Sequence, residues 1–171
     1  AVWMAIRRQL RTYTTFQLGR IPDPITRDTV VSMRNLVRGA PRVDLRDVTV
    51  RVVAYNLEKG CYTRGSGSSE RTVSFSEPVR AVVLYEKELP LVRRGQPIEA
   101  AMSDSFRFEP MFDALYPPCE VSGSHGLFVQ WEVQLLHDRF VDHELIPADC
   151  SYRDADFLHA SRAEMEAAHA G

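Results

Sequence analysis

Four residues that can bind metal or carry protons fall within one short stretch: His137, Asp138, Asp142 and His143. Imidazole and carboxylate side by side suit a borderline metal ion or acid–base work. On a single strand the two histidines would share a face but lie about 20 Å apart, at roughly 3.3 Å per residue. A turn over residues 138–141 would bring them closer. The spacing predicts a charged hairpin tip, with neither a metal nor a cofactor bound.

The other reactive types are scattered. Ser124 and His125 stand between Gly123 and Gly126, but there is no G-x-S-x-G elbow and no third partner in view, so a polar turn is expected. Cys119 follows two prolines, with neither a cation nor a helix start beside it to lower its pKa. Cys61, Cys119 and Cys150 are far apart and form no C-x-x-C, which predicts reduced thiols in an intracellular compartment. Gly65 and Gly67 lack the G-K-[ST] ending of a phosphate loop. Asp104 with Glu109, and Asp154 with Asp156, read as turn or cap residues. Arg93-Arg94 between two proline turns offers an acidic partner or a phosphoinositide two guanidinium groups, or forms a solvated loop. No catalytic residue is expected.

The composition bounds the rest. The chain has 171 residues, 44% of them apolar and 26% charged, enough to bury one core. A net charge of -2 argues against a dedicated nucleic-acid binder. No apolar run approaches the roughly 18 residues of a membrane span. Of 21 basic residues only Lys59 and Lys87 are lysines. Arg7, Arg8, Arg11 and Arg20 all precede the first acid, Asp23. That stretch resembles the end of an organelle transit peptide, or a basic helix touching a partner or an anionic membrane. Residues 1–11 are read as a basic extension.

The elements that would position these groups follow a period of two. Leu127, Val129, Trp131, Val133 and Leu135 alternate with Gln130, Glu132 and Gln134, the pattern of a half-buried strand. Val48, Val50, Val52 and Ala54 repeat it over residues 47–55. Residues 79–85 make a third strand, apolar on both sides. Residues 13–18, 29–37, 97–102, 105–108 and 141–146 are further candidates. Residues 65–69, Leu89-Pro90, Gly95-Gln96-Pro97 and residues 116–126 punctuate them. Short strands with no helical pattern between them predict a mainly β, antiparallel sandwich over residues 12–153. Only residues 160–170, in a tail spanning 154–171, and residues 1–11 read as helical, so any helices are short and terminal.

Three segments carry a resemblance. Residues 43–53 precede a Gly/Ser/Thr-rich loop at 62–72. Tyr85-Glu86, a short loop, Gly95 and then Pro97-Ile98 follow. A Phe-rich stretch at 106–112 and the bend Tyr116-Pro117-Pro118 lead into the long strand 127–137. This order resembles the C-terminal lobe of the arrestin fold, most of all the arrestin-like subunit of the retromer sorting complex. The family has two lobes, whereas this stretch spans one. Where the family carries an apolar pair after its Tyr-Glu, Lys87-Glu88 stand here, followed by Leu89 and Leu91.

The resemblance implies an arrestin/immunoglobulin-like sandwich without an active site. It implies a scaffold or adaptor in intracellular protein transport, cytoplasmic or peripheral to endosomal membranes, holding other protein subunits such as a helical solenoid. Its contact segment would comprise Tyr85, Glu86, Leu89, Leu91, Arg93 and Arg94, with Arg7, Arg8 and Arg11 near the membrane. The rival expectation is an accessory subunit of a mitochondrial or membrane complex. A viral coat or matrix protein, which shares the strand pattern, stands third.

Overall fold

The structure, a computed structural model, describes residues 14–137 and the backbone of residues 140–145. The helices expected at residues 1–11 and 160–170 lie outside these residues, as do Arg7, Arg8, Arg11, Asp138 and Cys150.

The protein is mainly β, with antiparallel sheets. In chain order the strands are β1 (Gln17–Leu18), β2 (Val30–Ser32), β3 (Val37–Arg38), β4 (Leu45–Arg64), β5 (Arg71–Val92), β6 (Ser105–Arg107), β7 (Cys119–Ser122), β8 (His125–His137) and β9 (Phe140–Leu145). The main sheet runs β5-β4-β8-β7, with β9 sharing the flank of β8 that β7 occupies at its start. Two small pairs, β1 with β3 and β2 with β6, complete the strand content.

The alternation seen in the sequence builds one face of this sheet. Val48, Val50, Val52 and Ala54 on β4 are fully buried, and Val129, Trp131, Val133 and Leu135 on β8 join them in one core. Each such side chain contributes roughly 1.5–3 kcal/mol by leaving water. Over that face lie β1/β3, β2/β6, the helix Met33–Leu36, the turn Ile98–Ala101 and the helix Glu109–Ala114, whose Phe16, Val31, Leu36, Ile98, Phe106 and Phe112 belong to the same core. A chain of rings ties the layers: Tyr85 to Phe106 at 6.3 Å, Phe106 to Phe108 at 5.3 Å, and Phe108 edge-on to Trp131 at 5.1 Å.

Four expectations change. The sequence predicts helices only near the ends, whereas Met33–Leu36 and Glu109–Ala114 lie inside the chain, each packing buried side chains onto the sheet. Residues 29–37 are not one strand. Met33 and Leu36, both fully buried, form a single helical turn between β2 and β3. The Met33 N–H donates to the Asp104 carbonyl at 3.0 Å, so the chain leaves β2 held by the segment after the turn Ile98–Ala101. Residues 97–102 form that turn instead of a strand, docked where the Ile98 N–H donates to the Gly39 carbonyl at 2.8 Å. Gly39 sits at φ 118, and a Cβ there would meet the Thr15 carbonyl oxygen at 2.5 Å, so only glycine fits. Finally, Pro90 does not stop β5. It lies opposite Asp47 (φ 56), where the β4–β5 ladder skips one pair, and the missing N–H costs no ladder bond.

β5 also carries one residue more than β4 at two places. Leu84 falls between the partners of Val52 and Val53, and Val79 between those of Asn56 and Leu57. Each extra residue reverses which β5 side chains face the core.

Candidate functional site

The segment expected to dock a partner is strand and turn, not an open loop. Tyr85 pairs with Val52 on the core side, and its hydroxyl donates to Asp104 Oδ2 at 3.0 Å beside the Met102 sulfur. Burial, and then the Asp104 carboxylate, hold its pKa well above the usual tyrosine value. Lys87 reaches the same carboxylate at 3.1 Å and the Ala101 carbonyl at 3.3 Å. The Lys87 hydrogen bond, followed by that of Tyr85, lowers the pKa of Asp104. Leu89 is only 6% exposed, paired with Val48 in the core, so it is no half of an exposed apolar pair. Leu91 is 36% exposed, and Glu86, Arg93 and Arg94 reach solvent. The turn after β5 is held from both sides: the Arg94 N–H donates to the Asp44 side chain at Oδ1, 2.7 Å away, and the Gln96 N–H donates to the Arg93 carbonyl at 2.9 Å to close a reverse turn.

The backbone on either side of residues 138–139 pairs as a hairpin, as the spacing suggested. β8 ends at His137 and β9 begins opposite it at Phe140. In that register His143 stands across from Gln134 and Asp142 across from Leu135, so the hairpin does not set the two histidines opposite each other. No group of three or more metal-binding side chains occurs among the described residues.

The opposite face of the main sheet is polar and partly buried. Arg51 Nε donates to Gln134 Oε1 at 2.7 Å, Gln134 Nε2 donates to Glu132 Oε1 at 2.9 Å, and the Tyr55 hydroxyl donates to Gln130 at 3.2 Å. Burial, with the Glu132 charge behind it, pushes the Tyr55 pKa up to about 12.

The β4–β5 hairpin continues past the rest of the sheet. The β4–β8 ladder ends at Lys59 opposite Gly126, while β4 runs on to Arg64 and pairs only with β5. The loop expected at residues 62–72 is therefore shorter: residues 62–64 and 71–72 are strand, and residues 65–70 close the hairpin with the short turn Gly67–Ser69. In this two-stranded ribbon most side chains are exposed, Tyr62 at 49%. Tyr62 and Phe75 approach to 6.3 Å. The Phe75 ring lies over Gly60, where a Cβ would meet it at 2.8 Å. Arg64 and Arg71 stand directly opposite each other at the ribbon's end.

At the ribbon's root, on the side where β8 begins, is an open groove of about 550 Å³. Here the turn between β7 and β8, which pairs Ser122 with His125, carries His125 to β4. Its Nε2 lies 3.1 Å from Cys61 Sγ, and its Nδ1 lies 3.0 Å from Ser124 Oγ and 3.4 Å from Ser122 Oγ. The expected polar turn at Ser124-His125 is present, yet it also brings a base to a thiol 64 positions earlier in the chain. No local pattern announces this pair, because a hairpin and a strand register must both form first.

No helix among the described residues is long and apolar enough to cross a membrane. No model of a known protein family matches the chain, and no curated protein matches it.

Proposed function

We propose that this protein is a non-enzymatic scaffold or adaptor that joins other protein subunits by strand addition along its projecting ribbon. The observation behind this reading is the pair of open flanks on residues 60–64 and 71–75. Among the described residues, no strand pairs with β4 beyond Lys59 on the β8 side, or with the outer flank of β5. A two-stranded ribbon is marginal in water on its own. Its open flanks offer backbone donors and acceptors to an extended segment of another chain. Arg64 opposite Arg71 is a like-charge pair that acidic residues on that segment would relieve. The occupant is thus an extended peptide strand with carboxylates near the ribbon tip.

In the wider reading carried by the sequence likeness, the layer of β1, β2, β3 and β6 is the second leaf of an arrestin-like sandwich. The assembly it serves is then a sorting coat at endosomal membranes. Glu86, Leu91, Arg93 and Arg94 would form a second, smaller contact at the far end of β5.

Hydrogen exchange of the native complex tests the ribbon. Amides of residues 60–64 and 71–75 are expected to exchange more slowly in the complex than in the isolated protein. A variant with residues 62–73 replaced by Asn-Gly should keep the fold and lose the partner. Equal exchange in both states, or full partner recovery by the shortened variant, would remove the ribbon from the account.

A further inference from the structure

We propose that Cys61 is a site of reversible thiol–disulfide exchange with small anionic disulfides, with His125 as its base. This does not depend on the docking role of the ribbon. A thiol becomes a nucleophile when a neighbouring base takes its proton, and the base must itself be held in the right tautomer. The geometry supplies the partners for both conditions. His125 Nε2 stands 3.1 Å from Cys61 Sγ. Ser124 Oγ lies 3.0 Å from Nδ1 and Ser122 Oγ 3.4 Å from it. In the tautomer that donates Nδ1–H to these hydroxyls, the Nε2 lone pair is turned toward the thiol.

The surroundings select the reagent. Cys61 is exposed, so a disulfide can approach its sulfur along the axis that exchange requires. The groove beside it is large enough for a molecule of tripeptide size. Its lining includes Lys59, Thr72, Ser74 and Ser76 and no carboxylate residue. The Lys59 ammonium, 4.7 Å from the centre of the Phe128 ring, is the cation beside the groove. A disulfide with carboxylate groups is complementary to that lining, while a cationic one is not. Cys119, also exposed, lies outside the lining and has no such base among the described residues, so it serves as an internal control.

The exchange balances without any further reagent. His125 Nε2 takes the proton from Cys61 Sγ, and the thiolate attacks one sulfur of the disulfide R–S–S–R. The S–S bond breaks, a Cys61–S–S–R bond forms, and the departing thiolate leaves as R–SH with the imidazolium proton. The incoming disulfide is the oxidant, and excess thiol reverses the step.

Peptide mapping by mass spectrometry after exposure of the full chain to oxidised glutathione tests this, in parallel with the neutral hydroxyethyl disulfide. Cys61 is expected to react at least about tenfold faster than Cys119 at neutral pH. The anionic reagent should show the larger preference for Cys61. His125→Gln, with the circular dichroism spectrum unchanged, should bring Cys61 down to the Cys119 rate, and Ser124→Ala should lower it in part. Equal rates at the two cysteines, or a Cys61 rate unmoved by His125→Gln, would overturn the assignment. A neutral disulfide reacting as selectively as the anionic one would overturn the choice of reagent class.

Discussion

Asn56 and Tyr116 exchange two hydrogen bonds: the Asn56 amide donates to the Tyr116 carbonyl at 3.0 Å and accepts from the Tyr116 N–H at 2.8 Å. The Asn56 side chain thus does for the bend before β7 what a strand's backbone would do. It is completely buried on the core face of β4, opposite Val129. Removing it leaves the partly buried Tyr116 N–H and C=O together without this partner, each costing roughly 1–3 kcal/mol at most. Asn56→Ala should therefore lower unfolding stability by about 3 kcal/mol in urea titration. Asn56→Asp keeps the acceptor but sets a carboxylate against the Tyr116 carbonyl, so its loss should be larger at neutral than at acid pH. An Asp variant as stable as the parent at neutral pH would contradict this arrangement.

Leu89 and Leu91 separate folding from docking. Leu89 lies in the core against Val48, while Leu91 is open to solvent beyond Pro90. Leu89→Asp should cost about 4 kcal/mol or more through a buried, unpaired charge. Leu91→Asp should change stability by about 1 kcal/mol or less. Any loss of a bound partner in the Leu91 variant, at unchanged thermal midpoint, is then a contact effect. Equal destabilisation by the two substitutions would refute the assigned burial.

The tyrosines and Asp104 set the outer limits of the pH range. Burial, and then the Glu132 charge, push the Tyr55 pKa from the usual tyrosine value up to about 12, and Tyr85 is shifted the same way. A raised folded pKa means the contribution is complete below the unfolded value and is lost as pH rises through the folded one. Stability should therefore fall above about pH 10, and Tyr55→Phe should flatten part of that decline. Asp104 moves in the opposite sense: its lowered pKa gives a contribution present above the unfolded carboxylate value and lost as pH falls through the folded one. Asp104→Asn should flatten the acid limb, less so at high salt, since the carboxylate is exposed. Denaturation midpoints across pH, with tyrosinate absorbance followed alongside, check both limbs.

Where one face of a strand meets solvent and the other the core, the residues announced it. Val48 to Ala54 and Val129 to Leu135 alternate in the sequence, and their inward set is buried as the alternation predicts; Leu127 is only half-buried, while Val53 and Glu132 on the other face are buried. Residues 79–85 looked apolar on both sides because Leu84 and Val79 each reverse the facing of β5. Met33 and Leu36, three apart, carried a helical spacing hidden among β-branched neighbours. Residues 62–64 hold Tyr62 alone as an apolar side chain, and in residues 71–76 only Val73 and Phe75 alternate with Thr72, Ser74 and Ser76, a signal too short to stand out beside the Gly/Ser-rich loop. The Cys61–His125 pair depends on tertiary contact and was invisible for that reason.

The two extra residues in β5 have a further effect when taken with Pro78 and Pro90. A long border strand invites copies of the same protein to stack side by side into fibres. Here, prolines without an amide hydrogen and local kinks interrupt that border from residue 78 onward. Along β5, self-stacking of identical molecules is thereby confined to residues 71–77, where Arg71 and Arg64 repel a second copy of themselves.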